Sequence, residues 1–247
     1  MKTKLDRILA ATTTFSERYL LSLVFFFLAL REIGPIWFLL TGKRAVETTL
    51  WIDTGHHLCL LVLNLITGLV LLLGWRPVVP PKNFKSVFIP LVATFYTLAY
   101  YSVPWFPKSW RLNLSPLALQ KPLVVAGIVC IVIGPLISLW GILYLRRSFG
   151  VFVTLRKIVL NGPYRWVRHP MYLGWVCVCT GLVLANFSGA YFVLVSVHIS
   201  ILLYRAHLEE EHLAENSQDY QEYRKRTGFI FPKLSCAIQG LPGTKPH

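Results

Sequence analysis

The sequence predicts an all-α, polytopic membrane protein of about five to six transmembrane segments, the last two forming a C-terminal helical hairpin. Three observations lead there. Of 247 residues, 55% are hydrophobic and only 15% are charged, against roughly 25% charged in soluble domains. The apolar residues are gathered into runs close to the ~20 that a helix needs to cross ~30 Å of hydrocarbon. The basic residues concentrate in alternate connections between those runs, the pattern of the positive-inside rule.

Taken in order, the chain begins with Lys2, Lys4 and Arg7 ahead of an apolar segment at 17–40. No small-residue cleavage site follows, so it reads as a retained signal anchor. Arg31 and Glu32 interrupt this segment and predict a kink, a tilt or a partly interfacial position, because a central Arg costs about 2.5–3.5 kcal/mol on insertion scales. The runs 57–75, 87–103 and 122–145 are almost free of charge, and Pro-rich connections at 76–82 and 104–116 separate them. The apolar stretch 171–204 is too long for one span, and Asn186-Phe187-Ser188-Gly189 breaks it into a hairpin. Placing both termini in the cytoplasm puts most of the 25 Lys and Arg residues on that side. Composition changes at Arg146, which divides the chain into transmembrane helices (1–145), a polar and chemically rich region (146–233) and a tail (234–247).

The net charge of +14 is spread over juxtamembrane loops, so anionic membrane lipids are the expected partners and nucleic acid is not. Cys59, Cys130, Cys177 and Cys179 fall in spans and Cys236 in the tail, a pattern of packing residues and not of a disulfide framework. Trp75, Trp105, Trp110 and Trp166 sit near span ends, where amphipathic rings favour the headgroup zone. Asp53, His56 and His57 lack a recognised zinc spacing. Cys177 and Cys179 point to different helix faces. No metal is expected.

Two constellations carry chemistry. The first runs from Asn161 to Trp175. Gly162-Pro163 predicts a turn, and Pro170 suits the first turn of a helix, whose free amides favour an anion. Arg168 and His169 are placed to hold a carboxylate, and Gly174 to let a ligand approach the backbone. A basic collar on lipid phosphates is the alternative. The second continues the hairpin out of the membrane: Arg205 and Glu209 lie four apart on one helix face and pair, with Glu210 beside them. The alternative there is a solvated helix end.

The order of these motifs resembles the isoprenylcysteine carboxyl methyltransferase family, related to the phospholipid methyltransferases. The resemblance rests on Ile158-Val159 leading to Gly162-x-Tyr164, on Arg168-His169-Pro170-x-Tyr172-x-Gly174-Trp175, on Arg205-x-x-x-Glu209-Glu210-x-x-Leu213 and on Tyr220-x-x-Tyr223, over 148–232. It implies that S-adenosylmethionine is the cofactor, in a cytoplasmic pocket closed by the hairpin and lined by Arg156, Lys157, Ile158, Val159, Tyr164, Arg168, His169, Pro170, Met171, Tyr172 and Glu209. Arg205 would face a lipophilic methyl acceptor. Such an enzyme belongs in a bacterial inner membrane or an endoplasmic reticulum.

Methyl transfer is an in-line displacement, so alignment is the main requirement. A carboxylate acceptor would be held by Arg205 in a bidentate fork; an amine would need a base, for which Glu210 is the candidate. No G-x-G-x-x-G follows a strand, so the membrane helices must supply the cofactor site. A nicotinamide-dependent lipid reductase and a non-catalytic membrane protein are the competing readings. Carboxylate, amine and thiol acceptors all stay open, as does oligomeric state.

Overall fold

The computed structural model describes residues 11–41, 49–112, 114 and 116–233, with the backbone alone at 39, 49–56, 101 and 111. The basic N-terminus with Lys2, Lys4 and Arg7, the tail 234–247 with Cys236, and the side chains of Asp53 and His56 lie outside the described residues. The regular elements of the described residues are helices: α1 (Ser22–Thr41), α2 (Thr49–Leu72), α3 (Lys85–Phe95), the short α4 (Lys108–Arg111), α5 (Leu117–Leu145), α6 (Pro170–Asn186), α7 (Gly189–Asn216) and α8 (Gln218–Arg226). Among the described residues the only β pairing is two isolated bridges, Val79 with Leu155 and Val167 with Gly228.

Among the described residues three stretches have the length and composition to cross a membrane: Ala11–Phe38, Leu117–Ser148 and Gly189–Asn216. Three shorter apolar helices accompany them, His57–Leu72, Lys85–Tyr100 and Pro170–Asn186. Large apolar side chains such as Leu23, Phe27 and Leu30 on α1 and Val125, Val129 and Ile133 on α5 are exposed. An exposed apolar surface of this extent is what lipid covers.

The segments alternate in direction. At one end, Arg18 Nε donates to Leu72 O at 2.6 Å, and the Trp75 amide donates to Arg147 O at 2.8 Å. This gathers the N-terminal lead-in, the α2–α3 connection and the α5–α6 connection together. At the other end the Leu114 amide reaches Phe187 O at 2.8 Å, across the hairpin turn. That turn lies where Asn186-Phe187-Ser188-Gly189 places it: Phe187 is left-handed (φ 39, ψ 53) and Ser188 is extended, between the end of α6 and the start of α7.

The first segment does not break at its charges. Glu32 is 1% exposed and is met by Arg31 Nη2 at 2.8 Å and by His57 Nδ1 of α2 at 2.7 Å. A buried carboxylate survives when paired and hydrogen-bonded, so Glu32 joins α1 to α2 through His57 while Arg31 pairs with it on α1. The irregularity falls earlier, in a π-wound turn at Ser16–Leu21. The expected span 87–103 is α-helical only to Phe95 and continues as a 3-10 helix, Tyr96–Trp105, which brings Tyr100 Oη to 3.0 Å from His198 Nδ1.

Helices α5 and α6 pack backbone to backbone. Gly127, Gly134 and Gly141 recur every seven residues on α5, as do Gly174 and Gly181 on α6. A Cβ added at Gly134 would sit 2.5 Å from Gly174 O, and one at Gly127 would sit 2.6 Å from Ala185 N. Small residues at such spacing permit close approach in membranes, where packing replaces the hydrophobic effect. Gly174 therefore faces α5 and not a ligand, which corrects the expectation that it admits a ligand to the backbone.

A core of Leu21, Phe25, Leu63, Leu71, Ile142, Phe149, Val151 and Phe152 runs across the composition change at Arg146. The N-terminal helices and the 146–169 connection are thus packed as one body. Irregular backbone this deeply buried must find hydrogen-bond partners.

Candidate active site

The turn that the sequence predicts forms at Gly162, whose φ is +61, and a 3-10 turn Gly162–Arg165 follows it. This sets Tyr164 in the interior, with its hydroxyl 3.5 Å from Gly141 O. Residues 166–169 then run alongside 228–229: the Arg168 amide donates to Gly228 O at 2.8 Å and the His169 amide to Phe229 O at 3.1 Å. Pro170 opens α6 at its first position. Helix α7 continues past the hairpin, and Ser217 caps α8 by accepting from the Tyr220 amide at 3.2 Å. The fold-back of α8 places Tyr223 so that its hydroxyl donates to Tyr164 O at 2.6 Å. The first and last motifs are thus bonded to each other.

Between them lies a cavity of about 610 Å³, within the range of small-molecule sites. Its lining includes every residue expected to hold a cofactor, from Arg156, Lys157, Ile158 and Val159 through Tyr164, Arg168, His169, Pro170, Met171 and Tyr172 to Glu209, together with Arg205. Tyr220 and Tyr223 join them at the polar end. The cavity then extends into the membrane half, where Phe25, Leu28, Leu60, Leu63 and Leu98 form its walls and Tyr100, Cys179 and His198 reach it from the hairpin side.

At the junction of the two halves stands a charged group. Glu209 Oε1 accepts from Tyr172 Oη at 2.6 Å and from Arg205 Nε at 3.1 Å. Both bonds fall on Oε1, which leaves Oε2 to the cavity that Glu209 lines. The Arg205 guanidinium lies 5.4 Å from the Tyr172 ring centre. Its two terminal nitrogens donate to Thr94 Oγ1 at 3.1 Å and to Val151 O at 2.9 Å. Each nitrogen of the fork expected for an acceptor carboxylate therefore already has a protein partner. Arg205 orients Glu209 and the buried loop.

Glu210 is 3% exposed and points the other way, off the cavity lining. It accepts from Arg168 Nε, from Arg224 Nε at 3.1 Å and from His169 Nε2 at 3.3 Å. Arg168 also donates to the carbonyls of Arg224 and Thr227. The carboxylate that Arg168 and His169 hold is thus the protein's own. A carboxylate so engaged is a poor proton acceptor, which turns Glu210 from a candidate base into a joint between α7 and the strand-like 166–169 segment. His169 packs on Tyr172 and Phe229, with ring centres 5.2 and 5.0 Å away.

Burial raises the phenols of Tyr164, Tyr220 and Tyr223 above the ordinary tyrosine range. They act as neutral hydrogen-bond donors and acceptors around the polar end. Among the described residues no cluster of His, Cys, Asp and Glu has the make-up of a metal site.

Glu17 does not line the cavity, but it is a buried carboxylate bonded to residues that do, and the motifs do not reveal it. Its Oε1 accepts from the Val151 amide at 2.5 Å and the Phe152 amide at 2.8 Å, and its Oε2 pairs with Arg156 Nη2. The signal available in the sequence is a lone carboxylate at the head of an apolar segment, with nothing to say which loop, more than a hundred residues on, it meets.

Residues 123–219 match the family model for phospholipid methyltransferases. The chain is 25% identical to a methanethiol S-methyltransferase of Crocosphaera subtropica over 64% of each chain. It is 30% identical to one from a Pseudomonas strain over 38% of this chain and 42% of that one. With the protein-S-isoprenylcysteine O-methyltransferase of Saccharomyces cerevisiae it shares 27% identity over 69% of this chain and 87% of the yeast one. The matched stretch thus covers 64% and 42% of the two methanethiol enzymes' own lengths. With the ordered motifs and the helical membrane architecture, these matches make the chain similar, over its C-terminal half above all, to the phospholipid and isoprenylcysteine type of membrane methyltransferase.

Proposed function

We propose that this protein is a methyltransferase that uses S-adenosylmethionine and acts, at the cytoplasmic face of its membrane, on a lipophilic acceptor. The observation that carries the reading is one cavity with two characters: a polar end built from the ordered motifs, continuous with an apolar half between the membrane helices.

The residues of the polar end fit the cofactor's chemistry. S-Adenosylmethionine supplies a methyl group on a sulfonium, and it also bears an ammonium, a carboxylate and a flat purine. Glu209, fixed by Tyr172 and Arg205, offers a carboxylate to a cation. Arg156, Lys157 and the first turn of α6 offer positive potential to an anion. Tyr164, His169, Tyr172 and Tyr220 supply ring faces and keep water out. The remaining requirement is a straight approach for the nucleophile, and the continuity of the apolar half with the polar end leaves a path for one. The apolar half selects an acceptor with a hydrocarbon or terpenoid body. The basic loops at the polar end support a cytoplasmic side for it by the positive-inside rule.

Isothermal calorimetry with S-adenosylhomocysteine on detergent-purified protein tests the reading. Wild type is expected to bind in the micromolar range, and Glu209→Ala to lose about 100-fold in affinity, the scale of a buried charge-assisted contact. Folded wild type that binds no S-adenosylhomocysteine contradicts it.

A further inference from the structure

The α5–α6 connection forms one wall of the cavity through Phe149, Gly150, Val151, Phe152, Val153 and Arg156. These residues belong to no helix, yet Val151 and Val153 are each 1% exposed. Such a segment is rigid only if outside partners hold its peptide groups.

Those partners come from opposite sides. On one side Glu17 takes the amides of Val151 and Phe152 and pairs with Arg156. On the other, Arg205 Nη2 donates to Val151 O while its Nε holds Glu209, which in turn holds Tyr172. The Val151–Phe152 peptide unit is therefore gripped through its N–H by an anion on the N-terminal helical segment and through its C=O by a cation on α7. Glu17, Val151, Arg205, Glu209 and Tyr172 form one continuous hydrogen-bonded line across the cavity wall. The Val153 amide, bonded to Ser86 O at 3.0 Å, and Leu155, bridged to Val79, pin the next residues. Gly150 completes the arrangement: a Cβ there would sit 2.9 Å from Glu17 Oε1 and would collide with the Arg156 guanidinium.

We infer that Glu17 is a positioning residue of the active site: through Val151, Phe152 and Arg156 it holds the cofactor-facing wall in register with Glu209. The N-terminal segment thereby becomes part of the catalytic unit and not only a membrane anchor. Charge-assisted bonds from a carboxylate to backbone amides are among the stronger hydrogen bonds in proteins, and in a site of low dielectric they are strengthened further. Glu17 touches neither substrate; it acts through the wall.

The inference rests on the methyltransferase reading, and the experiment separates the two. The variants are Glu17→Gln, which keeps the shape and removes the charge, and Arg18→Gln. Arg18 occupies the same helical turn and ties it to α2 through Leu72 O, its hydrogen bond going to that helix and not to the wall. Three quantities are read on each purified protein: the thermal midpoint, the calorimetric affinity for S-adenosylhomocysteine, and kcat and KM for the methyl donor. For Glu17→Gln the expected result is about tenfold weaker S-adenosylhomocysteine binding, the size of one charged hydrogen bond, with KM raised alongside it and kcat changed less. Arg18→Gln is expected to lower the midpoint while binding as wild type does. Equal affinity in wild type and Glu17→Gln overturns the inference, as does a loss that merely follows the midpoint in both variants. If Glu17→Gln does not fold, Glu17→Asp, one methylene short of the two amides, is read in the same way. Wild type that binds no S-adenosylhomocysteine overturns the methyltransferase reading itself.

Discussion

Glu209 and Glu210 are neighbours in sequence and opposites in role. Successive positions on a helix point about 100° apart, so one carboxylate lines the cavity while the other meets Arg168, Arg224 and His169 behind it. Removing the second leaves two guanidinium groups without their carboxylate, and breaking a buried pair from one side costs about 3–5 kcal/mol. Glu210→Ala is therefore expected to lose more in unfolding midpoint than Glu209→Ala. Glu209→Ala, which leaves the Arg168 joint intact, is expected to lose more in S-adenosylhomocysteine affinity. Thermal unfolding and calorimetry on the two variants check this; the same ranking in both measurements would contradict the division. From the motif alone the two glutamates are indistinguishable, because Arg205-x-x-x-Glu209-Glu210 states which residues are near each other and not which cations arrive from elsewhere. Glu17 is the stronger instance. Its partners at Val151, Phe152 and Arg156 are brought to it by the packing of α1 and α2 on α5, and no local pattern encodes that meeting.

At the scale of elements, the stretches readable from sequence are those governed by local rules. The hairpin break at 186–189 follows from residues that cannot continue a helix, and the start of α6 from a proline suited to a first turn. The α5–α6 seam was also present in the sequence, as glycines seven apart on two successive apolar runs. Read only as a place for a ligand, Gly174 conceals that spacing; read with Gly127, Gly134, Gly141 and Gly181, it marks a packing face. Overpacking such a seam costs about 1–3 kcal/mol or more. Gly134→Leu, whose side chain must enter where the α6 backbone lies, is expected to lower the thermal midpoint by several degrees and to weaken S-adenosylhomocysteine binding secondarily, since α6 carries His169 to Tyr172. Gly34→Leu, on α1 where an added Cβ meets nothing within 4 Å, serves as the comparison and is expected to behave as wild type. An unchanged midpoint in Gly134→Leu would contradict the close approach.

At the scale of the whole molecule, the motifs occupy 148–232, yet the cavity they open into is completed by Phe25, Leu28, Leu60 and Leu63 from the first two helices. Hydropathy alone shows these helices as generic spans. What they contribute chemically, an apolar half for an acceptor and a carboxylate for the wall, appears only when they are packed. The relatives' acceptors differ among themselves: methanethiol for two and an isoprenylcysteine for another, by their names. These three are methyltransferases by name, so the nicotinamide-dependent reductase is not the favoured reading. The continuous apolar half supports the larger, lipophilic class of acceptor.

The most direct test of the central claim is methyl transfer itself. Membranes carrying wild type or Glu209→Ala are incubated with S-adenosylmethionine tritiated on its methyl group, then partitioned into organic, aqueous and volatile fractions. The account predicts label in the organic fraction with wild type and about 100-fold less with Glu209→Ala, the scale on which a preorganised charged group acts. Equal labelling by the two proteins would contradict the site, and label confined to the volatile or aqueous fraction would contradict a lipophilic acceptor.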